Sequence, residues 1–266
     1  YAFVSNADNL GAIVDADILG YMAAEKLPFL MEATDRTLGD RKGGHLAQTP
    51  EGGLLLREIA QCPPDEVDEF QDVERYRFFN TNNLWVHLPS LAAVLEEHGG
   101  LLPLPLIRNS KPVDPTQPDS TPVYQLETAM GLAISVFPGA QAIVVPRNRF
   151  RPVKKCNDLL ALWSDAYVLT DSYRLRLDSR RHSGEAPAGD PLIALDEKCY
   201  GLIEEMRERF PHGAPSLLYC RSLTVEGNVY FGRNVKVEGD VTVCNRSREA
   251  RCIADGALLT GEVDLN

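Results

Sequence analysis

Eight apolar residues between positions 223 and 243 fall into two interleaved series with a strict six-residue period. One is Leu223, Val229, Val235 and Val241, and the other is Val225, Phe231, Val237 and Val243. Gly227 and Gly239 stand between the pairs, and Ile253 and Leu259 resume the spacing after a polar excursion. Short apolar-x-apolar strands joined by tight turns at this period stack as the coils of a parallel β-helix around one apolar interior. An antiparallel hairpin alternates too, but nothing in its geometry demands sixes. Residues 215–266 are therefore expected to form such a coil.

Upstream the period changes. Tyr1-Ala2-Phe3-Val4 reads as a buried strand, and the polar run Ser5 to Gly11 leads into a helix from Ile13 to about Lys26. Further strands are expected at Phe29 to Ala33, His45 to Gln48, Leu54 to Ala60, Tyr76 to Phe79 and Ala142 to Val145. An apolar stripe through Leu126, Ala129, Met130, Ala133, Ile134 and Phe137 predicts a helix from Tyr124 to Phe137. Strands alternating with helices indicate an α/β layer, whose ligands bind where strands give way to helices. Ser179 to Pro191, polar and rich in Gly and Pro, reads as a boundary or mobile connection. The expected division is 1–178, 179–214 and 215–266.

The chain carries a formal charge of −11, which argues against nucleic acid and anionic membranes as partners. Arg147, Arg149, Arg151, Lys154 and Lys155 nevertheless place five cations in nine residues, leaving the remainder at −16. They follow a predicted strand and precede a helix that Asn157 can cap, a position suited to a phosphate group. A solvated basic loop is the alternative. Asp8 lies at a similar strand end, where it serves either as a ligand or as a helix cap.

Several chemistries find no support. The six cysteines are scattered without a CxxC pair, which fits reduced thiols in the cytoplasm. His45, His87, His98, His182 and His212 show no metal-ligand spacing, and no GxSxG elbow occurs. No run approaches the roughly 18 apolar residues of a membrane-spanning helix.

Five segments, taken in order and followed by the hexads, carry a resemblance over essentially the whole chain. They are VSNADNLGA from Val4, RKGG from Arg41, REIAQ from Arg57, FNTNNLW from Phe79 and FRPVKKCNDLL from Phe150. The chain resembles the eukaryotic-type UTP–glucose-1-phosphate uridylyltransferases. That resemblance implies part of a nucleotidyltransferase sheet, Rossmann-like and GT-A-type, on its sugar-binding side, followed by a left-handed parallel β-helix. It implies formation of UDP-glucose and pyrophosphate from UTP and glucose 1-phosphate. By motif position Asp8 is the Mg²⁺ carboxylate, Asn6 and Ala7 lie beside the nucleotide, and Lys154 is the catalytic and nucleotide-binding lysine, with Lys155 as its local competitor. Gly44, Glu58, Asn80 and Asn82 are implied for the sugar. Lys42 is an auxiliary candidate for closing the site.

The family's glycine-rich loop, with a pattern like LNGGLGT followed by GxxxPK, finds no counterpart here. The expectation is thus a chain that starts part-way through a catalytic domain and turns over negligibly alone. Two other readings stand beside it. One is a broader UDP-sugar or UDP-N-acetylhexosamine pyrophosphorylase, and the other is a non-catalytic fragment that self-associates through its coil edge.

Overall fold

The near-continuous apolar run of Phe29 to Ala33 builds a strand buried on both faces, and the first half of the chain is assembled around it. A computed structural model describes residues 1–37, 40–117 and 119–266. In it, residues 1–151 and 152–266 form two compact units.

The strands of the first unit are β1 (Ala2–Val4), β2 (Phe29–Asp35), β3 (His45–Gln48), β4 (Leu54–Arg57), β5 (Phe78–Val86), β6 (Ile107–Pro112), β7 (Pro122–Glu127) and β8 (Gln141–Val144). The main sheet runs β4-β3-β5-β2-β8, with β1 antiparallel to β5 as well. Only β8 lies parallel to its neighbour β2, so the sheet is mixed. Its two faces are filled differently. Leu30 and Trp85 pack with Ile18 and Met22 of helix α1 (Ala16–Ala24), while Phe29, Met31, Leu84 and Phe137 meet on the other side. Each such fully buried apolar side chain contributes about 1.5–3 kcal/mol.

Several expectations are corrected here. The predicted helix from Tyr124 to Phe137 is instead strand β7, hairpinned onto β6, followed by a 3₁₀ turn over Met130–Ser135. Leu126 and Met130, which a buried stripe requires inside, are exposed. The strand expected to reach Ala60 ends at Arg57 and passes into a 3₁₀ turn, Ile59–Gln61. The strand expected over Tyr76 to Phe79 runs on to Val86 and carries the whole asparagine-rich motif. Asp15, not Asp8, caps α1, accepting the backbone N–H groups of Asp17 and Ile18.

In the second unit β9 (Tyr167–Leu169) and β10 (Leu175–Leu177) form a hairpin. β11 (Leu192–Leu195), β12 (Cys220–Glu226), β13 (Val229–Phe231), β14 (Lys236–Cys244), β15 (Arg251–Ile253) and β16 (Leu258–Asp264) follow, and all their mutual pairings are parallel. Leu223 pairs with Val241 and Val225 with Val243, each three hexads further on. The hexad residues are buried together in one core. Parallel pairing begins at β11, ahead of the expected residue 215.

Ser179 to Pro191 is pinned rather than loose. Arg181 is 1% exposed and donates to the carbonyls of Gly189, Leu217, Leu218 and Cys220 at 2.7–3.0 Å. The helix Cys156–Trp163 starts after Lys155, with Asp158 Oδ2 accepting the N–H groups of Lys154 and Lys155. Asn157, the expected cap, accepts from the Leu195 N–H instead.

Candidate functional site

Strand β5 pairs with β2 along its length except at one point, where Glu32 faces Asn83 and Ala33 faces Asn80. Thr81 and Asn82 are therefore extra residues in a bulge. Thr81 Oγ donates to the Glu32 carbonyl at 2.7 Å, replacing the ladder bond that the bulge removes. Asn82 takes φ of +58°, a left-handed conformation that asparagine tolerates better than most side chains. Its N–H donates to Asn80 Oδ1 at 2.8 Å, and its Nδ2 to Asn6 Oδ1 at 2.9 Å. Bulges of this kind re-aim side chains at a sheet's functional edge. The asparagine run is thus a mid-strand device and not a turn.

A continuous line of contacts extends from it. The Asn80 N–H donates to the Gly44 carbonyl at 3.0 Å. A Cβ on Gly44 would lie 2.5 Å from Glu58 Oε1, so only glycine lets that carboxyl approach. Burial raises the Glu58 pKa above the usual carboxylate range. A pocket of about 210 Å³ opens beside it, lined among others by Arg57, Gln61 and Phe70. One line of contacts, the cradle, thus runs through Asn6, Asn82, Asn80, Gly44 and Glu58, and its amide and carboxyl groups are of the donor and acceptor types that a polyhydroxylated ligand needs; of the five, Glu58 alone lines the pocket among the described residues. Ala7 and Asp8 continue from Asn6 on the same segment, Ala7 exposed and Asp8 half-buried.

The basic cluster resolves into different roles. Arg147 grips Asp40 with both Nη atoms, at 2.8 and 2.9 Å. Burial alone would raise the Asp40 pKa, but hydrogen bonds from Arg147 and Thr37, with the guanidinium's charge, hold it below the usual range. Arg149 is buried and forks onto Glu32, with Nε to Oε2 at 2.7 Å and Nη2 to Oε1 at 2.6 Å. Lys155 pairs with Glu197. These three cations are engaged by carboxylates, which corrects the reading of the whole cluster as one phosphate site. Lys154 belongs to the second unit and is exposed.

Sequence reasoning missed the polar core beneath the cradle. Glu32 is fully buried and accepts from Arg149, from Asn83 Nδ2 at 3.0 Å and from Trp85 Nε1 at 2.9 Å. Asn9 Nδ2 donates to Asn83 Oδ1 and to the Arg149 carbonyl, both at 3.1 Å. A glutamate in the middle of Phe29-Leu30-Met31-Glu32-Ala33 was the available signal, since a charge in a strand buried on both faces requires a partner.

The model of the family described as UTP–glucose-1-phosphate uridylyltransferase matches residues 1–238. The curated relative of that name from Encephalitozoon cuniculi is 41% identical over 263 residues, covering 99% of this chain and 51% of its own length. The one from Hordeum vulgare is 41% identical over 266 residues, 100% of this chain and 53% of its own. Among solved structures, the UDP-glucose pyrophosphorylase of Leishmania major, described in open and closed forms, is 49% identical. It superposes with a TM-score of 0.84 over 98% of this chain and 56% of its own. The Trypanosoma brucei UDP-glucose phosphorylase gives 46% identity and a TM-score of 0.86 over 99% and 56%. The chain thus spans about half the length of the relatives it matches.

Proposed function

The chain belongs to the UTP–glucose-1-phosphate uridylyltransferase family, and we propose that the protein containing it makes UDP-glucose and pyrophosphate from UTP and glucose 1-phosphate. The observation that carries this reading is the cradle running from Asn6 through Asn82, Asn80 and Gly44 to Glu58. Its amides and carboxyl hold the glucose hydroxyls. A phosphate oxygen of glucose 1-phosphate attacks the α-phosphorus of UTP, the bond between the α-phosphorus and the bridging oxygen breaks, and pyrophosphate leaves. This chemistry depends on positioning and charge neutralisation. Lys154 supplies a cation for charge that develops on the phosphates.

Asp8 fits a Mg²⁺ ion, which takes one or two carboxylates and completes its shell with water and substrate phosphates. Bound there, the ion would offset phosphate charge. Asn6 and Ala7 line the nucleotide side of the same segment.

The parallel pairing of β12 with β14 at three hexads supports a β-helix, and its left hand is carried over from the resemblance. Cytoplasmic location rests on the scattered cysteines. Among the described residues no helix is long and apolar enough to cross a membrane.

The test is Lys154→Ala in the full-length protein, assayed for formation of the corresponding UDP-sugar and pyrophosphate with glucose 1-phosphate, galactose 1-phosphate and N-acetylglucosamine 1-phosphate. Loss of a preorganised cation should lower kcat about 10²–10³-fold, with glucose 1-phosphate the preferred substrate of the parent. An unchanged kcat removes Lys154 from the chemistry. A parent that prefers another sugar phosphate overturns the glucose assignment.

A further inference from the structure

We propose that Glu32 and Arg149 are positioning residues, which set the sugar cradle and the Asn6–Asp8 segment in register from beneath. The inference rests on the function proposed above. Neither residue faces the cradle: Glu32 is fully buried and Arg149 is 7% exposed. Between them they reach the two stretches of chain that the Asn6–Asn82 bond joins, residues 81–85 of β5 and residues 9–15 ahead of α1. Both oxygens of Glu32 are saturated, Oε1 by Trp85 and Arg149, and Oε2 by Asn83 and Arg149. Asn83 directly follows Asn82 on β5 and Trp85 comes two residues later, while the Glu32 carbonyl holds Thr81 directly before it. The strained Asn82 backbone is thus clamped on both sides by one residue.

Arg149 extends the clamp to the other partner of Asn82. Its Nη2 donates to the Ile13 carbonyl at 3.0 Å and its Nη1 to Asp15 Oδ2 at 3.3 Å, fixing the entry to α1. Its own carbonyl accepts from Asn9 and Asn83. Asn9 Oδ1 in turn accepts the N–H groups of Gly11 at 3.1 Å and Arg151 at 2.8 Å. A Cβ on Gly11 would sit 2.6 Å from the Asn148 carbonyl, so the two segments touch backbone to backbone. Asn9 stands next to Asp8, three residues from Asn6. The Asn6–Asn82 bond is therefore made between two segments that are each held by the same ion pair. A left-handed non-glycine residue persists only where its surroundings over-determine it, and this network does so. Catalytic groups need placement to about 0.5 Å, which a supporting shell of this kind provides.

The experiment compares Glu32→Gln and Arg149→Lys with Met206→Ala in the full-length protein. Met206 is fully buried in the second unit and serves as a control for lost stability alone. Assays run well below each melting temperature, with active sites counted by UDP-glucose binding. Both network variants are expected to lose at least about tenfold in kcat/KM per active site, with KM for glucose 1-phosphate raised, roughly what a 1.4 kcal/mol change in placement produces. Met206→Ala should lower the number of active sites and leave KM unchanged. Network variants that behave like Met206→Ala overturn the proposal.

A parent protein that makes no UDP-glucose defeats the functional reading instead. The crystal structure of Glu32→Gln then decides the positioning claim on its own. Asn82 leaving its left-handed conformation, or Asn6 and Asn82 separating, supports it. Positions unchanged to within about 0.5 Å refute it.

Discussion

Asn82 Nδ2 donates to Asn6 Oδ1 at 2.9 Å, joining residues 76 positions apart in the sequence. One end is a strand bulge and the other is the segment leading to Asp8, so the bond couples the proposed sugar and metal sides of the site. Two substitutions separate its backbone and side-chain contributions. Asn82→Gly keeps the φ of +58° accessible, whereas Asn82→Ala adds about 1–2 kcal/mol of left-handed strain. Both should raise KM for glucose 1-phosphate about three- to tenfold, in line with the loss of one hydrogen bond of about 0.5–1.5 kcal/mol. Only the alanine variant should also melt several degrees lower. Steady-state kinetics and a thermal scan read the two effects.

His45 predicts an acid sensitivity. Its ring is fully buried between those of Phe70 and Tyr76, with centroids 4.4 and 4.3 Å away, and neither nitrogen has a hydrogen-bond partner among the described residues. Burial, then the charges of Arg36 and Arg57, push its pKa down to about 3. In the unfolded chain the value is about 6.5, so on acidification the unfolded state takes up the proton first. The stability held by neutral His45 is complete above about pH 6.5 and is lost as the pH falls toward 3, by at most about 1.4 kcal/mol per unit. His45→Phe should remove this slope. Urea midpoints at pH 7, 5.5 and 4.5 are expected to fall less steeply for the variant than for the parent, and parallel curves would rule out the histidine.

What the sequence revealed divides along physical lines. The hexads were legible because period, burial and pairing coincide: Leu223 and Val241 are apolar, buried and in register. β3 was legible within its own four residues. The failure at Tyr124 to Phe137 came from tertiary override. Ala133, Ile134 and Phe137 are buried as the stripe requires, but Tyr124 and Leu126 pair with Ser110 and Arg108 in a hairpin. Gly131 lies so close to Asn80 Nδ2 that a Cβ would stand 2.8 Å away, a contact that belongs to the 3₁₀ turn. The cradle residues were legible only by motif. Their support was not, because Glu32, Asn83 and Arg149 are brought together by sheet register, which no local pattern encodes.

Arg181 predicts a stability hot spot in a stretch that composition marks as dispensable. Its guanidinium is enclosed by carbonyls of Gly189, Leu217, Leu218 and Cys220, the last three at the entry to β12. Removing it leaves three buried acceptors, the carbonyls of Leu217, Leu218 and Cys220, without that donor, and hydrogen bonds to charged groups are worth about 1.5–3 kcal/mol each before relaxation. Arg181→Ala is expected to cost about 3–5 kcal/mol, and Arg181→Lys most of that, since an ammonium cannot span the same set of carbonyls. Chemical denaturation of the chain measures both. A loss within 1 kcal/mol, taken as the size of one ordinary hydrogen bond, would show that water replaces the guanidinium.

The two hexad glycines should respond unequally to the same change. Gly227 and Gly239 both have positive φ, +80° and +70°, so alanine at either is strained by about 1–2 kcal/mol. At Gly239 an added Cβ meets nothing within 4 Å. At Gly227 it would lie 2.1 Å from the Asn245 carbonyl oxygen. That oxygen cannot retreat freely. The Asn245 N–H is bonded to the Glu226 carbonyl at 2.9 Å, and its Nδ2 to the carbonyls of Asn228 at 2.7 Å and Glu249 at 2.9 Å. Relieving the clash means breaking the turn that these Asn245 bonds hold, a further cost of about 1–3 kcal/mol. Gly227→Ala should therefore unfold at clearly lower denaturant than Gly239→Ala, and equal midpoints would mean that the chain gives way at residue 245 without resistance.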